Sequence, residues 1–258
     1  MFSAGTTKIV LVVEYNGGRY HGFQWQTNVP TIQGELEEAI AKLTREKRRV
    51  IAASRTDTGV HAKGQVVSFW TASNLPSKTW VKALNYYLPS DIVVKQAFKG
   101  AEDFNVRRDA VSREYDYCIW NSGVKSVFAK GLAYFVSKPL NLSAMQEACQ
   151  VLKGKHDFAS FATFLGKMLH TVRTVYEAKI RKKGELVIFH IVADSFLPHQ
   201  VRNTVGVLIR LGLGKIGIAD FRQIMEARTW GLAGPTAPAY GLYLTKINYS
   251  RPFIETSI

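Results

Sequence analysis

The chain reads as an α+β protein of two ferredoxin-like halves, residues 1–104 and 105–258, because its patterning runs β-α-β-β-α-β twice in succession. Two further observations support that class. Short β-branched runs bounded by Gly, Asn, Pro and Lys-Gly turns alternate with segments whose apolar residues recur at helical spacing. In the second half, two strand-like runs meet at Lys182-Lys183-Gly184, a hairpin turn. No sequence repeat links the halves; they share an order of elements only.

In the first half, Lys8 to Tyr15 is predicted as a strand, ended by Asn16-Gly17-Gly18. The loop beyond it carries Tyr20, His21, Phe23, Gln24, Trp25 and Gln26. Rings interleaved with amides suit stacking on unpaired bases, and they equally suit a loop that folds its aromatics onto the core. Pro30-Thr31 opens a helix marked by Ile32, Leu36, Ala39, Ile40 and Leu43. The basic run Arg45-Glu46-Lys47-Arg48-Arg49 follows at its C-terminus, where the dipole favours cations. Val50 to Ala53 and Gln65 to Trp70 are strands, Ser77 to Tyr87 is a helix stopped by Leu88-Pro89, and Ile92 to Phe98 is a strand.

In the second half, Arg113 to Trp120 and Leu132 to Val136 are predicted strands, and Ser143 to Leu152 is a helix before Gly154. Thr171 to Arg181 and Glu185 to Asp194 form the hairpin. Helices over about His199 to Leu211 and Asp220 to Ala227 precede a closing strand, Leu242 to Ile247.

Composition narrows the function. Of 258 residues, 47% are hydrophobic and 21% charged, the balance of a globular protein with a core, which excludes a disordered chain. Lys and Arg outnumber Asp and Glu by 34 to 20, for a net charge of +14. That excess suits a polyanion, and with 12% aromatics for base stacking it points to RNA or single-stranded nucleic acid. Cys118 and Cys149 stand without a Cys-x-x-Cys or histidine-rich neighbourhood, so neither a disulfide framework nor a zinc site is expected. Ile9 to Val13 is too short for a signal segment, and Arg210 and Lys215 interrupt the apolar stretch near Val205 to Ile218. No membrane association is expected, and the expected location is the cytoplasm.

Between the strands at Val50 and Gln65 lies a polar connection, Ser54-Arg55-Thr56-Asp57-Thr58-Gly59-Val60-His61-Ala62, continuing to Gly64. It is too long for a tight hairpin, and such loops carry function more often than simple turns do. Asp57 has a plain reading as turn chemistry ahead of Gly59. It has a sharper one through Arg55, which points to the same side if the backbone is extended. Opposite charges at about 4 Å interact by about 4 kcal/mol at an effective dielectric near 20, enough to keep a partly buried carboxylate ionised. Such a carboxylate is a nucleophile or an electrostatic stabiliser. His61 reads as a loop histidine, structural or RNA-facing.

Arg-Thr-Asp-x-Gly-Val-His-Ala, within Arg55 to Ala62, resembles the signature of the tRNA pseudouridine synthase A family. Further stretches are similar in the family's order: Tyr15-Asn16-Gly17 through Tyr20-His21-Gly22-Phe23-Gln24-Trp25-Gln26, Leu84-Asn85 with Leu88-Pro89, and Phe104-Asn105-Val106-Arg107 with Arg113-Glu114-Tyr115-Asp116-Tyr117. So are Gly154-Lys155-His156-Asp157-Phe158, Ser195-Phe196-Leu197 leading to Val201-Arg202-Asn203, and Ala237-Pro238-Ala239-Tyr240-Gly241-Leu242-Tyr243-Leu244. Together they cover nearly the whole chain.

The resemblance implies an α+β fold with a mixed, largely antiparallel sheet and a central cleft holding the catalytic Asp57. It implies a homodimer that isomerises uridine to pseudouridine in the tRNA anticodon arm, without metal, redox step or other cofactor. Arg55 would pair with Asp57 and hold the extruded nucleotide. Tyr115 would stack on the target base, Arg202 support the carboxylate, and Leu242 wall the pocket. Tyr20, Gln24, Gln26, His61 and Arg113 are the candidate RNA-binding residues.

Read without the family, Tyr115 and Tyr117 are packing residues of one strand face, and Leu242 is a core leucine. Arg202 is a first-turn arginine that the helix dipole slightly disfavours. Ser54, Thr58 and Gln200 stand where the family commonly has Gly, Ala and Met, and none of these changes removes a reacting group. The connection from Phe161 to His170 is short for the family. A rival reading makes the chain a basic RNA-binding protein on the same halves with Asp57 as turn glue, although Lys63-Gly64-Gln65-Val66 does not continue an RNA-recognition consensus. Another keeps the isomerase and changes the target RNA.

Overall fold

Val10, Leu11 and Val13 of the first strand, β1 (Thr7–Tyr15), have no solvent exposure, because the strand lies between two antiparallel partners and under side chains on both faces. The partners are β3 (His61–Thr71) and β4 (Ile92–Gly100). The computed structural model describes residues 5–164 and 170–250. A short β2 (Ile51–Ala52) adds to β3 through Ile51↔Ser68 and Ala52↔Val67.

Two helices complete this unit. α1 (Ile32–Thr44) starts where the Thr31 hydroxyl accepts from the Gly34 N–H at 3.2 Å, and it stops at Arg45, whose φ of 64° leaves the helical region. α2 (Ser77–Tyr87) ends at Leu88, which extends ahead of Pro89. α2 packs on α1 and β4, and its fully buried Trp80 meets Phe69 of β3 edge-on at 5.5 Å. The order β1-α1-β2-β3-α2-β4 is the one read from the sequence.

In the second unit, β5 (Ala110–Asn121) pairs antiparallel with β9 (Leu186–Ala193), β9 with β8 (Val172–Lys183), and β8 with β7 (Gly154–Asp157). β6 (Tyr134–Val136) runs parallel to β5. α3 (Leu142–Leu152), capped by Asn141 on the Ala144 N–H at 3.0 Å, packs on β8, on α4 (Gln200–Gly212) and on α5 (Ile218–Ala227). The last strand is β10 (Leu242–Tyr249). The chain is thus α+β, with mixed, mostly antiparallel strand pairing.

Contacts group residues 5–111 with 244–250 into one compact unit and 112–243 into the other. Most of the closing strand, which the sequence places with the second half, therefore clusters with the first unit, where it lies beside β3. Gly64 allows that approach: a Cβ there would stand 2.6 Å from the Thr245 carbonyl oxygen.

Three local details depart from the sequence reading. β3 starts at His61 and not at Gln65, since Ala62 still pairs with Tyr15 across a bulge in β1. β7 was not expected, being short and polar, and it forms on the edge that β8 offers. The basic run after α1 builds a corner: Glu46 accepts from Arg48 Nε at 2.7 Å and from the Thr71 hydroxyl at 2.9 Å. Of the short 161–170 connection, residues 165–169 lie outside the described residues. Among the described residues no helix is long and apolar enough to cross a membrane.

Candidate active site

The Asp57 loop runs from β2 to β3, and the chain that follows β1 stitches it in place. The Thr56 carbonyl accepts from the Phe23 N–H at 3.0 Å and the Tyr20 carbonyl from the Gly59 N–H at 3.3 Å, while within the loop the Asp57 carbonyl accepts from the Val60 N–H at 3.1 Å. Two glycines permit the close approach. A Cβ on Gly17 would stand 1.9 Å from the Val60 oxygen, and one on Gly22, at φ +89°, 2.8 Å from the Thr56 oxygen.

Polar groups beneath the loop hold it from inside the unit. The Tyr15 hydroxyl lies 2.7 Å from Thr56 Oγ1, and both are buried. The fully buried Gln65 amide takes both backbone groups of Ser54, donating from Nε2 to the carbonyl at 2.6 Å and accepting the N–H at 3.3 Å. Thr56 is therefore inside, Asp57 is half-buried, and Arg55 is exposed. Thr56 is the inward anchor of the segment, between an exposed arginine and a half-buried acid.

His61 is not a loop residue. It opens β3, is 1% exposed, and accepts the Gly17 N–H at Nδ1 over 3.1 Å. An accepting Nδ1 carries no proton, so the neutral ring holds its proton on Nε2. Tyr20 is also inside, its hydroxyl donated to Asp91 Oδ1 at 2.6 Å; burial first, then that hydrogen bond, raise its pKa well above the ordinary tyrosine value. Gln24 and Gln26 are exposed, with Gln26 Nε2 donating to the His21 carbonyl at 2.7 Å. Between them Trp25 is exposed, and the Arg49 guanidinium carbon lies 5.7 Å from its ring centre.

The second unit holds the remaining candidates. Tyr115 of β5 is 6% exposed and meets Phe196 edge-on at 5.1 Å. Arg113, two residues earlier on the same strand, donates from Nη1 to the Asp194 carbonyl at 2.7 Å. In the first turn of α4, Arg202 and Ala237 are joined twice: Arg202 Nε donates to the Ala237 carbonyl at 2.9 Å, and the Ala237 N–H donates to the Arg202 carbonyl at 3.1 Å.

The neighbouring Asn203 accepts from Thr236 at 2.6 Å, and the Tyr117 hydroxyl donates to the Pro238 carbonyl at 2.7 Å. Burial raises the Tyr117 pKa far above the usual tyrosine value, so it stays a donor. Arg202 and the segment leading to the buried Leu242 are thereby brought together.

Sequence reading missed Tyr15, Thr56 and Gln65 as parts of the site. A signal existed for Gln65, which shares a strand side with Val67 and Phe69, so period two places an amide in the core. Among the described residues no cluster of three or more His, Cys, Asp or Glu could hold a metal ion.

Comparison with known proteins agrees with this arrangement of motifs. The tRNA pseudouridine synthase family model matches residues 11–109 and 148–250. The tRNA pseudouridine synthase A of Syntrophomonas wolfei is 41% identical, over 94% of this chain and 98% of its own. That of an Exiguobacterium species is 42% identical over 95% and 98%, and that of Geobacillus kaustophilus 40% over 95% and 95%. Solved structures show a fainter likeness. An H/ACA RNP bound to a substrate RNA matches 96% of this chain and 49% of its own at 12% identity and a TM-score of 0.36, a level at which no detail carries over. Matched over most of its length by the family model and nearly end to end by these relatives, the chain belongs to the tRNA pseudouridine synthase family of isomerases.

Proposed function

We propose that the protein isomerises uridine to pseudouridine in the anticodon stem-loop of tRNA, with Asp57 as the reacting carboxylate and without a cofactor. The observation that carries the reading is the Asp57 loop itself: pinned from below through Thr56 and Ser54, it holds a half-buried acid two residues after an exposed arginine.

The reaction breaks the bond from uracil N1 to ribose C1′, turns the base, and joins C5 to the same carbon. The C5 proton leaves and N1 gains one, so the change is redox-neutral. Asp57 attacks C1′, stabilises an oxocarbenium-like species, or takes a proton from C2′. Extruding the base costs a few kcal/mol, which stacking at about 1–3 kcal/mol per base offsets. Tyr115 is the stacking ring and Leu242 the apolar wall, while Arg202 supports the carboxylate and Arg55 holds the extruded nucleotide.

Gln24, Gln26 and Arg113 are proposed RNA contacts, and Tyr20 and His61 act by shaping the loop. The net charge of +14 suits the tRNA backbone. The working form is a cytoplasmic homodimer.

The test is to incubate wild type and Asp57→Ala, without added metal or cofactor, with an unmodified tRNA transcript and to map pseudouridine by carbodiimide primer extension. Stops in the anticodon arm with wild type alone are expected. A folded wild-type protein that binds the tRNA and leaves no stop would overturn the reading.

A further inference from the structure

The isomerase reading names the group that reacts but not what aims it. Around the loop, both backbone groups of Ser54 are taken by the Gln65 amide, and Thr56 Oγ1 is taken by the Tyr15 hydroxyl, with Gln65 Nε2 a further 3.4 Å from that hydroxyl. Tyr15 is 3% exposed, Thr56 7% and Gln65 0%, so these bonds are made away from water.

The chain is thus anchored at two points just before Asp57, by the backbone of residue 54 and by the side chain of residue 56. A shift of the segment by one residue would break these bonds and carry the Asp57 carboxylate with it. Apolar side chains at these positions could fill the same volume, but hydrophobic burial has no direction and would not hold the segment at one position. Hydrogen bonds do hold it, since a buried polar group that loses its partner is costly.

We propose that Tyr15, Thr56 and Gln65 are positioning residues for the isomerisation, a buried polar clip that fixes the place of the 54–57 segment and so aims the Asp57 carboxylate at the substrate. The inference rests on the reading of Asp57 as the reacting group. The clip touches no substrate; it acts through the loop, and its loss reduces the rate of the chemical step and not the affinity for tRNA.

The experiment compares wild type, Thr56→Val, Thr56→Ser, Tyr15→Phe, the Tyr15→Phe/Thr56→Val double variant, Gln65→Leu and Asp57→Asn on one tRNA transcript. For each it measures single-turnover rate, tRNA dissociation constant and thermal midpoint. Thr56→Val keeps the shape and removes the hydroxyl. It is expected to lower the rate by about ten- to a hundredfold, the scale of a small misplacement of a reacting group, with tRNA affinity retained. Thr56→Ser restores most of the rate, and the Tyr15→Phe/Thr56→Val double variant is no slower than the slower single one, because both remove the same bond.

A Thr56→Val protein at the wild-type rate, or one whose loss matches its unfolded fraction or its loss of tRNA affinity, would overturn the inference. If Gln65→Leu does not fold, Thr56→Val and Tyr15→Phe still decide. Asp57→Asn separates the two levels. An active Asp57→Asn refutes the carboxylate reading and this inference with it, whereas an inactive Asp57→Asn beside a normal Thr56→Val refutes the clip alone.

Discussion

The backbone N–H of Gly17 donates to Nδ1 of His61 at 3.1 Å, across a contact so close that a Cβ on Gly17 would stand 1.9 Å from the neighbouring Val60 oxygen. One glycine thus couples the chain after β1 to the end of the Asp57 loop. Gly17→Ala must displace backbone, because the obstructing atom is not a movable side chain. Overpacking of this kind costs about 1–3 kcal/mol. A urea midpoint lowered to match is expected for Gly17→Ala. Gly123→Ala, where nothing lies within 4 Å, is the neutral control.

Tyr20 offers a direct choice between two roles. Its buried hydroxyl donates to Asp91, whose other oxygen lies 3.5 Å from the exposed Arg19. Tyr20→Phe removes a hydrogen bond to a charged group, a loss of about 1.5–3 kcal/mol. The expected outcome is a lower thermal midpoint with tRNA affinity unchanged. Weaker binding at unchanged stability would instead place Tyr20 against the RNA.

Cys149 provides a pH signature in the second unit. It is fully buried in α3, and burial pushes its thiol up to about 12 from the ordinary value of 9. Between those values the unfolded chain has released this proton and the folded chain keeps it. The unfolded state therefore binds fewer protons, and stability falls as pH rises above 9, by at most about 1.4 kcal/mol per pH unit. Denaturant midpoints taken from pH 8 to pH 10 should fall more steeply for wild type than for Cys149→Ala. Equal slopes would mean that the thiol titrates at its ordinary value in the folded protein.

Much of the fold was legible because its signals are local. The apolar spacing from Ile32 to Leu43, with Thr31 before it, announced α1, and Leu88-Pro89 announced the end of α2. The Lys182-Lys183-Gly184 turn announced the β8–β9 hairpin, where Lys183 pairs with Leu186. Nothing local marks β7, whose four residues become a strand only because β8 has a free edge beside them. His61 looked like a loop residue for the same reason: its strand character comes from the pairing of Ala62 with Tyr15.

The sequence by itself determined the chemistry available to this protein and its order along the chain: one acid beside one arginine in a long polar connection, a cationic excess, and motifs of a single family. Tertiary structure decided which of those side chains turn inward. Tyr15 meets Thr56 41 residues away, His61 meets Gly17 44 away, and Tyr20 meets Asp91 71 away. A side chain's exposure and its hydrogen-bond partner depend on what the fold brings opposite it, and local propensity carries no record of residues so distant in sequence.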